Sequence, residues 1–276
     1  MRNKKILETL SVAALAVCVS SAAYGQTVDN TERESDIIYF GAAVVSTPEY
    51  LGADDDEVLI IPYLEVSDYK GFDFFGTQLS YRLLEAGTGQ GIGKWSLRAG
   101  PSVTYQRGRD SDDSDTLTGL EDVDGSLPIG GYIRSTFGPV GFRVDAGQDV
   151  IGGHDGLSVD ASIGTSYDGG KFGIQPSATL SWGNGNYNES FFGITDEQST
   201  ASGLSAFDIG SGFNSYSFNV IAWYQILENY QLGAFASYKE FFDDAEDSPI
   251  IQAEDGSTNG LTVGLSLTRK FDISRF

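Results

Sequence analysis

The sequence predicts an all-β fold: a transmembrane, antiparallel up-and-down β-barrel of about twelve strands, with ten as the alternative. Three observations lead there. Apolar residues alternate with polar or small ones along stretch after stretch; the stretches have the roughly ten-residue length that a tilted strand needs to cross a bilayer; and after Gly25 no run approaches the eighteen apolar residues of a membrane helix. A soluble β-sandwich would have to bury those apolar faces between two sheets, and the composition speaks against it. The 35 glycines and 12% aromatics suit the crowded interior and interfacial girdles of a barrel.

Lys171 to Trp182 shows the alternation most clearly. Phe172, Ile174, Pro176, Ala178, Leu180 and Trp182 fall on one face, and Lys171, Gly173, Gln175, Ser177, Thr179 and Ser181 on the other. The same period recurs at Trp95–Tyr105, Val140–Ala146, Leu157–Tyr167, Tyr230–Tyr238 and Leu261–Phe271. Eleven strand-like segments are legible, near 36–47, 58–67, 71–84, 94–107, 125–138, 139–149, 157–168, 171–183, 213–228, 229–242 and 260–271. A bacterial single-chain barrel takes an even number. Either a twelfth strand is therefore expected near Ser190–Thr195, or one N-terminal segment drops out. Short turns at Gly138-Pro139, Asp168-Gly169-Gly170 and Glu228-Asn229 alternate with long connections at 108–124, 184–212 and 243–259. Counted back from a periplasmic C-terminus, all three short turns lie on the periplasmic side, as the asymmetry of such barrels requires.

The first 25 residues read as a secretory signal. Arg2, Lys4 and Lys5 form a basic region, Leu10 to Val19 an apolar run too short to span about 30 Å of hydrocarbon, and Ala23-Tyr24-Gly25 a small-x-small cleavage site. Cys18 lies inside that segment behind a bulky Val17, which disfavours a lipoprotein, so the mature chain carries no cysteine and no disulfide. Residues 26–35 are polar and expected to be mobile, and 36–276 form one barrel domain. The destination is the outer membrane of a Gram-negative cell. Phe271 keeps phase with Leu261, Val263, Leu265 and Leu267, whereas the terminal Phe276 does not.

The net charge of −22 becomes −24 when Arg2, Lys4, Lys5 and Glu8 leave with the signal, a sign that disfavours nucleic acid as a partner. The acid is clustered at Asp54–Glu57, Asp110–Asp115, Glu121–Asp124 and Asp243–Asp247, all between strands. Solvated loops account for it, and divalent ions bridging the loops to lipopolysaccharide are the sharper alternative. Asp54-Asp55-Asp56-Glu57 lacks the ligand spacing of a calcium loop, so no metal and no cofactor is expected. Inward faces carry Arg98, Arg134, Arg143, Asp145 and Asp160, which must pair or stay hydrated. A lumen so crowded argues against a wide porin and leaves a narrow channel open. The one histidine, His154, stands beside Asp155, but strand neighbours point to opposite faces, so no catalytic residue is assigned and no enzyme is expected.

Five stretches, in order, resemble the MipA/OmpV family of MltA-interacting outer-membrane proteins: Pro48-Glu49-Tyr50-Leu51-Gly52-Ala53-Asp54-Asp55 with Ile61-Pro62-Tyr63, Leu117 to Asp124, Gly152 to Gly156, Tyr187 to Ile194, and Asp247-Ser248-Pro249-Ile250. They read as shaped turns: Pro48 fixes φ and Gly52 permits φ > 0, and Gly183-Asn184-Gly185-Asn186 reads as another tight turn. The resemblance implies an outer-membrane barrel without a known catalytic centre, in contact with lipid and lipopolysaccharide. It implies a scaffold for a lytic transglycosylase and a murein synthase, with solute or antibiotic uptake and adhesion as the other roles.

Overall fold

A computed structural model describes residues 36–88 and 95–274 of the chain. The signal segment, the polar start at 26–35 and Phe276 lie outside the described residues. The strands are β1 (Ile37–Pro48), β2 (Asp56–Tyr69), β3 (Phe72–Phe75), β4 (Gln78–Tyr81 continued by Leu84–Gly87), β5 (Trp95–Thr104), β6 (Pro128–Phe137), β7 (Val140–Asp149), β8 (Leu157–Thr165 continued by Tyr167–Asp168), β9 (Phe172–Gly183), β10 (Gly212–Leu227), β11 (Tyr230–Phe241) and β12 (Asn259–Asp272). Each pairs antiparallel with its neighbours, and β12 pairs with β1 through Ile37↔Asp272 to Ser46↔Val263. The sheet is thus a closed barrel of twelve strands. Among the described residues no helix is long and apolar enough to cross a membrane.

The twelfth strand is not where the sequence placed it. The stretch 71–84 is two strands, β3 and β4, folded back at Phe75↔Gln78. Between Gln78 and Leu84 the chain breaks at Arg82, whose N–H goes to Gly71 O at 2.7 Å instead of to the ladder. Ser190–Thr195 is helix and loop. Asn184, expected in a tight turn, caps α1 (Gly185–Phe192) by accepting the Tyr187 N–H at 3.0 Å. A second helix, α2 (Asp196–Ser202), starts at a Thr195–Gln198 capping box and ends at Gly203 with φ 80°.

The two faces of the wall differ as the period of two demands. Val58, Ile60, Ile133, Phe218 and Leu265 stand outward and are among the most exposed large apolar side chains, while inward positions hold Ser67, Ser102, Thr104, Thr179, Ser217, Ser237 and Thr268, all buried. Exposed aromatics Phe72, Trp95, Phe137, Tyr167, Phe172, Tyr224, Tyr230 and Phe271 cluster near the ends that carry the short turns, forming an interfacial girdle on that side. Inside, a small apolar wall of Ala43, Val45, Leu59 and Ile61 is completed by Phe235. Phe235 lies over Gly264, where an added Cβ would fall 2.1 Å from its ring.

The wall is uneven in height. The β3–β4 hairpin reaches only Glu65 of β2, so Asp56 to Leu64 pair with β1 alone. Pro62 falls in this one-sided stretch, where a residue without an N–H is best tolerated. An ion pair between Arg107 and Glu57 ties the top of β2 to the segment that follows β5.

Candidate functional site

The five long connections at the end opposite the termini fold together into a lid. Its core has two clusters, one of Val123, Phe191, Phe192, Ile209, Phe241, Ala245 and Ile251, the other of Tyr50, Ala53, Leu117, Leu120, Ile194 and Ile250. Phe192, Leu117, Ile194, Ile250 and Ile251 are wholly buried, so the loops have a packed interior of their own and are no solvated fringe. Bridges at Ala53↔Gly256, Gln106↔Ser126, Arg109↔Val123 and Ile194↔Phe207 knit the connections together. Gly52 is required here: its φ is +94°, and a Cβ would lie 2.1 Å from Ile251 Cδ1. Acidic side chains, inside and outside the clusters, serve this lid locally. Asp255 accepts from Ser114 and Thr116 at 3.1 Å, Asp122 from the Ser111 N–H at 2.8 Å, and Asp110 from the Asp112 N–H at 2.9 Å.

Two side chains organise the lid from below. The Asp149 carboxylate, at the top of β7, accepts four backbone N–H groups: Leu127 at 3.0 Å, Ile151 at 3.2 Å, His154 at 3.0 Å and Asp155 at 3.2 Å. Arg109 is buried and donates to Phe191 O at 2.9 Å, and its Nε has no partner. Burial lowers its pKa. Burial likewise pushes the Tyr187 phenol up to about 12; its hydroxyl accepts from Gln106 Nε2 at 3.0 Å.

His154 is placed by this framework and not by a carboxylate. Its Nδ1 accepts the Gly156 N–H at 2.9 Å, so the proton resides on Nε2, which is buried without a partner. Its ring packs edge-on against Tyr187 at 5.0 Å and against Phe191 at 5.8 Å. Asp155 sits at φ 49° and gives its N–H to Asp149, so the segment does turn, yet it brings no carboxylate to Nδ1.

Burial, the largest influence, lowers the His154 pKa, against the smaller opposing pull of Asp149 and Asp155. A depressed histidine binds its proton more weakly in the folded lid than in the open one. The stabilisation it gives is therefore complete above the open-state value near pH 6.5 and is lost as pH falls through the folded value. Hydrogen exchange across 150–156, corrected for intrinsic rates, is expected to accelerate between pH 7 and 5, and His154→Gln to abolish that trend. An unchanged trend in the variant would refute the assignment.

Beneath the lid the lumen is polar and occupied. Arg143 and Asp145 form a bidentate pair, Nε to Oδ2 at 2.5 Å and Nη2 to Oδ1 at 2.6 Å, with side chains only 5% and 7% exposed. Gln78 reaches across two intervening strands to both, donating to Asp145 at 3.0 Å and accepting from Arg143 at 2.7 Å, and Arg143 stacks 4.8 Å from the Tyr132 ring centroid. Of the other inward charges expected from the sequence, Arg98 pairs with Glu85 at 2.8 Å, and Asp160 accepts from Ser181 Oγ at 2.5 Å. Between this tie and the lid lies a chamber of about 170 Å³, walled by Thr179, Ser181, Ser217, Ser237, Asp160 and Lys239 and roofed by Tyr187 and Phe191. Lys239 was not singled out from the sequence, although continuing the β11 alternation from Ser237 places it inward. Among the described residues no group of three or more His, Cys, Asp or Glu side chains is placed to hold a metal ion.

The five sequence stretches that suggested a family meet at this lid through Tyr50 and Ala53, Leu117 and Leu120, His154, Phe191 with Phe192, and Ser248, whose hydroxyl donates to Phe192 O at 2.7 Å; only Ile61-Pro62-Tyr63 lies in the wall, in β2. The profile of the family described as MltA-interacting protein MipA matches residues 40–271. The chain belongs to the MipA family. Its relatives include the MltA-interacting protein of Escherichia coli K12, 27% identical over 84% of this chain and 88% of that one. The outer membrane protein Omp26La of Vibrio anguillarum is 24% identical over 68% and 70%, and OmpV of Vibrio cholerae 23% over 71% and 74%. Among solved structures, OmpT of Vibrio cholerae aligns over 87% of this chain and 99% of its own at 8% identity with a TM-score of 0.36, too low to carry an argument. The MipA-family chain is an outer-membrane β-barrel, and its family is not a known enzyme family. With short turns on the periplasmic side, the lid faces outward.

Proposed function

We propose that this barrel is a non-enzymatic scaffold of the outer membrane, its periplasmic rim holding a murein-hydrolysing lytic transglycosylase together with a murein synthase. The observation that carries the reading is the obstructed bore. A Gln78–Arg143–Asp145 tie that fills the lumen beside β4 to β7, and a lid with its own core, are what an anchor tolerates and a general porin does not. The commitment of His154 Nδ1 to a backbone N–H supports the absence of acid–base catalysis at that residue. The name of the Escherichia coli relative supports the class of partner. The apolar outer wall meets lipid, and the outer loops meet lipopolysaccharide. In-cell crosslinking of the tagged protein, followed by mass spectrometry of solubilised envelopes, is expected to recover both murein enzymes above the level of an unrelated barrel. Recovery of assembly factors and lipopolysaccharide alone would overturn the scaffold.

The chamber favours a second reading, a narrow route for small solutes. Single-channel conductance in planar bilayers tests it.

A further inference from the structure

Beneath Glu49, Arg107 and Arg109 at its lid end, the chamber carries two opposite charges that do not meet. Asp160 and Lys239 both line it, three strands apart, on β8 and β11. Among the described residues neither forms an ion pair. Asp160 has one hydroxyl donor, Ser181, and its register neighbour across β7 is Asp145, whose charge is already answered by Arg143. Lys239 lies between Ser217 and Gly260 in register, so neither adjacent strand offers it an acid. Toward the lid, Arg107 is taken by Glu57, and Arg109 keeps an unpartnered Nε.

Asp160 and Lys239 feel each other's charge without forming an ion pair, so a ligand with one charge serves one of the two sites only. A ligand with an ammonium at one end and a carboxylate at the other serves both, and the net charge of the chamber is unchanged. The walls between carry the hydroxyls of Thr179, Ser217 and Ser237, each tied into the wall by a hydrogen bond to Ser162 or Asn219 and each with acceptor capacity left for an ammonium. A volume of about 170 Å³ is comparable to the roughly 150 Å³ cavity that accepts benzene, which suits a guest of about six to eight heavy atoms.

We propose that the chamber binds a small zwitterion of amino-acid size, its ammonium on Asp160 and its carboxylate on Lys239. The site stands whether or not the barrel also scaffolds murein enzymes, because it lies inside the wall, away from the periplasmic turns.

Equilibrium dialysis of the folded, full-length barrel in detergent, incubated overnight to let the lid exchange, tests it with radiolabelled glycine, L-alanine, D-alanine and β-alanine. Propionate and ethylamine, each lacking one of the two charges, serve as controls. At least one zwitterion is expected to bind with at least tenfold higher affinity than both controls. Asp160→Asn and Lys239→Gln are each expected to weaken that binding at least tenfold, with folding verified by heat-modifiable migration on gels. If a variant does not fold, the comparison of ligands on the unaltered protein decides. Binding of propionate or ethylamine as tight as that of every zwitterion would overturn the proposal, as would no retention of any zwitterion at 10 mM, roughly the affinity limit of a weak two-charge contact.

Discussion

Replacing Asp149 by Ala is expected to open the lid while leaving the barrel wall intact. The carboxylate is the one acceptor for four N–H groups drawn from two connections, Leu127 from the first and Ile151, His154 and Asp155 from the second. Hydrogen bonds to a charged acceptor contribute about 1.5–3 kcal/mol each, and N–H groups left buried without a partner cost a comparable amount. Some of the four reach water once the segment loosens, so the net cost comes to about 3–5 kcal/mol. Asn is not a rescue, because its amide turns one acceptor oxygen into a donor aimed at two N–H groups; about half of the loss should remain. The β7–β8 ladder is a separate set of bonds from Val140↔Thr165 to Gln148↔Leu157 and does not depend on this carboxylate. Heat-modifiable migration should therefore persist, while protease cleavage within 105–127 and 150–156 accelerates. Loss of heat-modifiability together with the lid would show that Asp149 holds the wall and not the loops.

This division between wall and lid also separates what the sequence discloses from what it hides. The wall is periodic, so Phe172 to Trp182 announces its own lipid face, and even the salt-bridged Arg143 and Asp145 fall on the inner phase without any knowledge of their partners. The β3–β4 hairpin escaped because Phe72 to Tyr81 has no alternation break at its tip; the fold turns there on Gly76, at φ 59°, and four-residue strands are too short to show a period. The lid has no period at all. Its core is assembled from residues up to two hundred positions apart, such as Tyr50 and Ile250, so single positions look like loop composition until the chain is folded. Local signals did exist for two pieces. Asn184 preceding Tyr187, and Thr195 with Gln198 ahead of Gly203, are helix caps, and the Asn-Gly repeat around position 184 obscured the first of them. The family stretches were readable as shaped turns, but their convergence on one packed cap was not.

The second large effect lies in the bore. Arg143→Met leaves Asp145 beside Gln78 and its register neighbour Asp160 with side-chain exposure of 7%, and the loss is expected at about 3–5 kcal/mol, the cost of an uncompensated buried charge. Asp145→Leu strands the guanidinium, although the Tyr132 face and Gln78 Oε1 retain part of its interaction, so its cost is expected to be somewhat smaller. The double variant Arg143→Met with Asp145→Leu removes both charges and fills the space with apolar volume, and should lie within about 1–2 kcal/mol of the parent. Urea unfolding from lipid vesicles, followed by tryptophan fluorescence, gives the cycle directly. A coupling of several kcal/mol between the two sites is the expected result, whereas additive single effects would mean that each charge is hydrated separately. The same three proteins test the obstructed bore. If the pair is what blocks the lumen, the double variant keeps the blockage through its apolar side chains. Arg143→Ala with Asp145→Ala instead leaves a void beside Gln78 and should pass current once the lid is also loosened by Asp149→Ala.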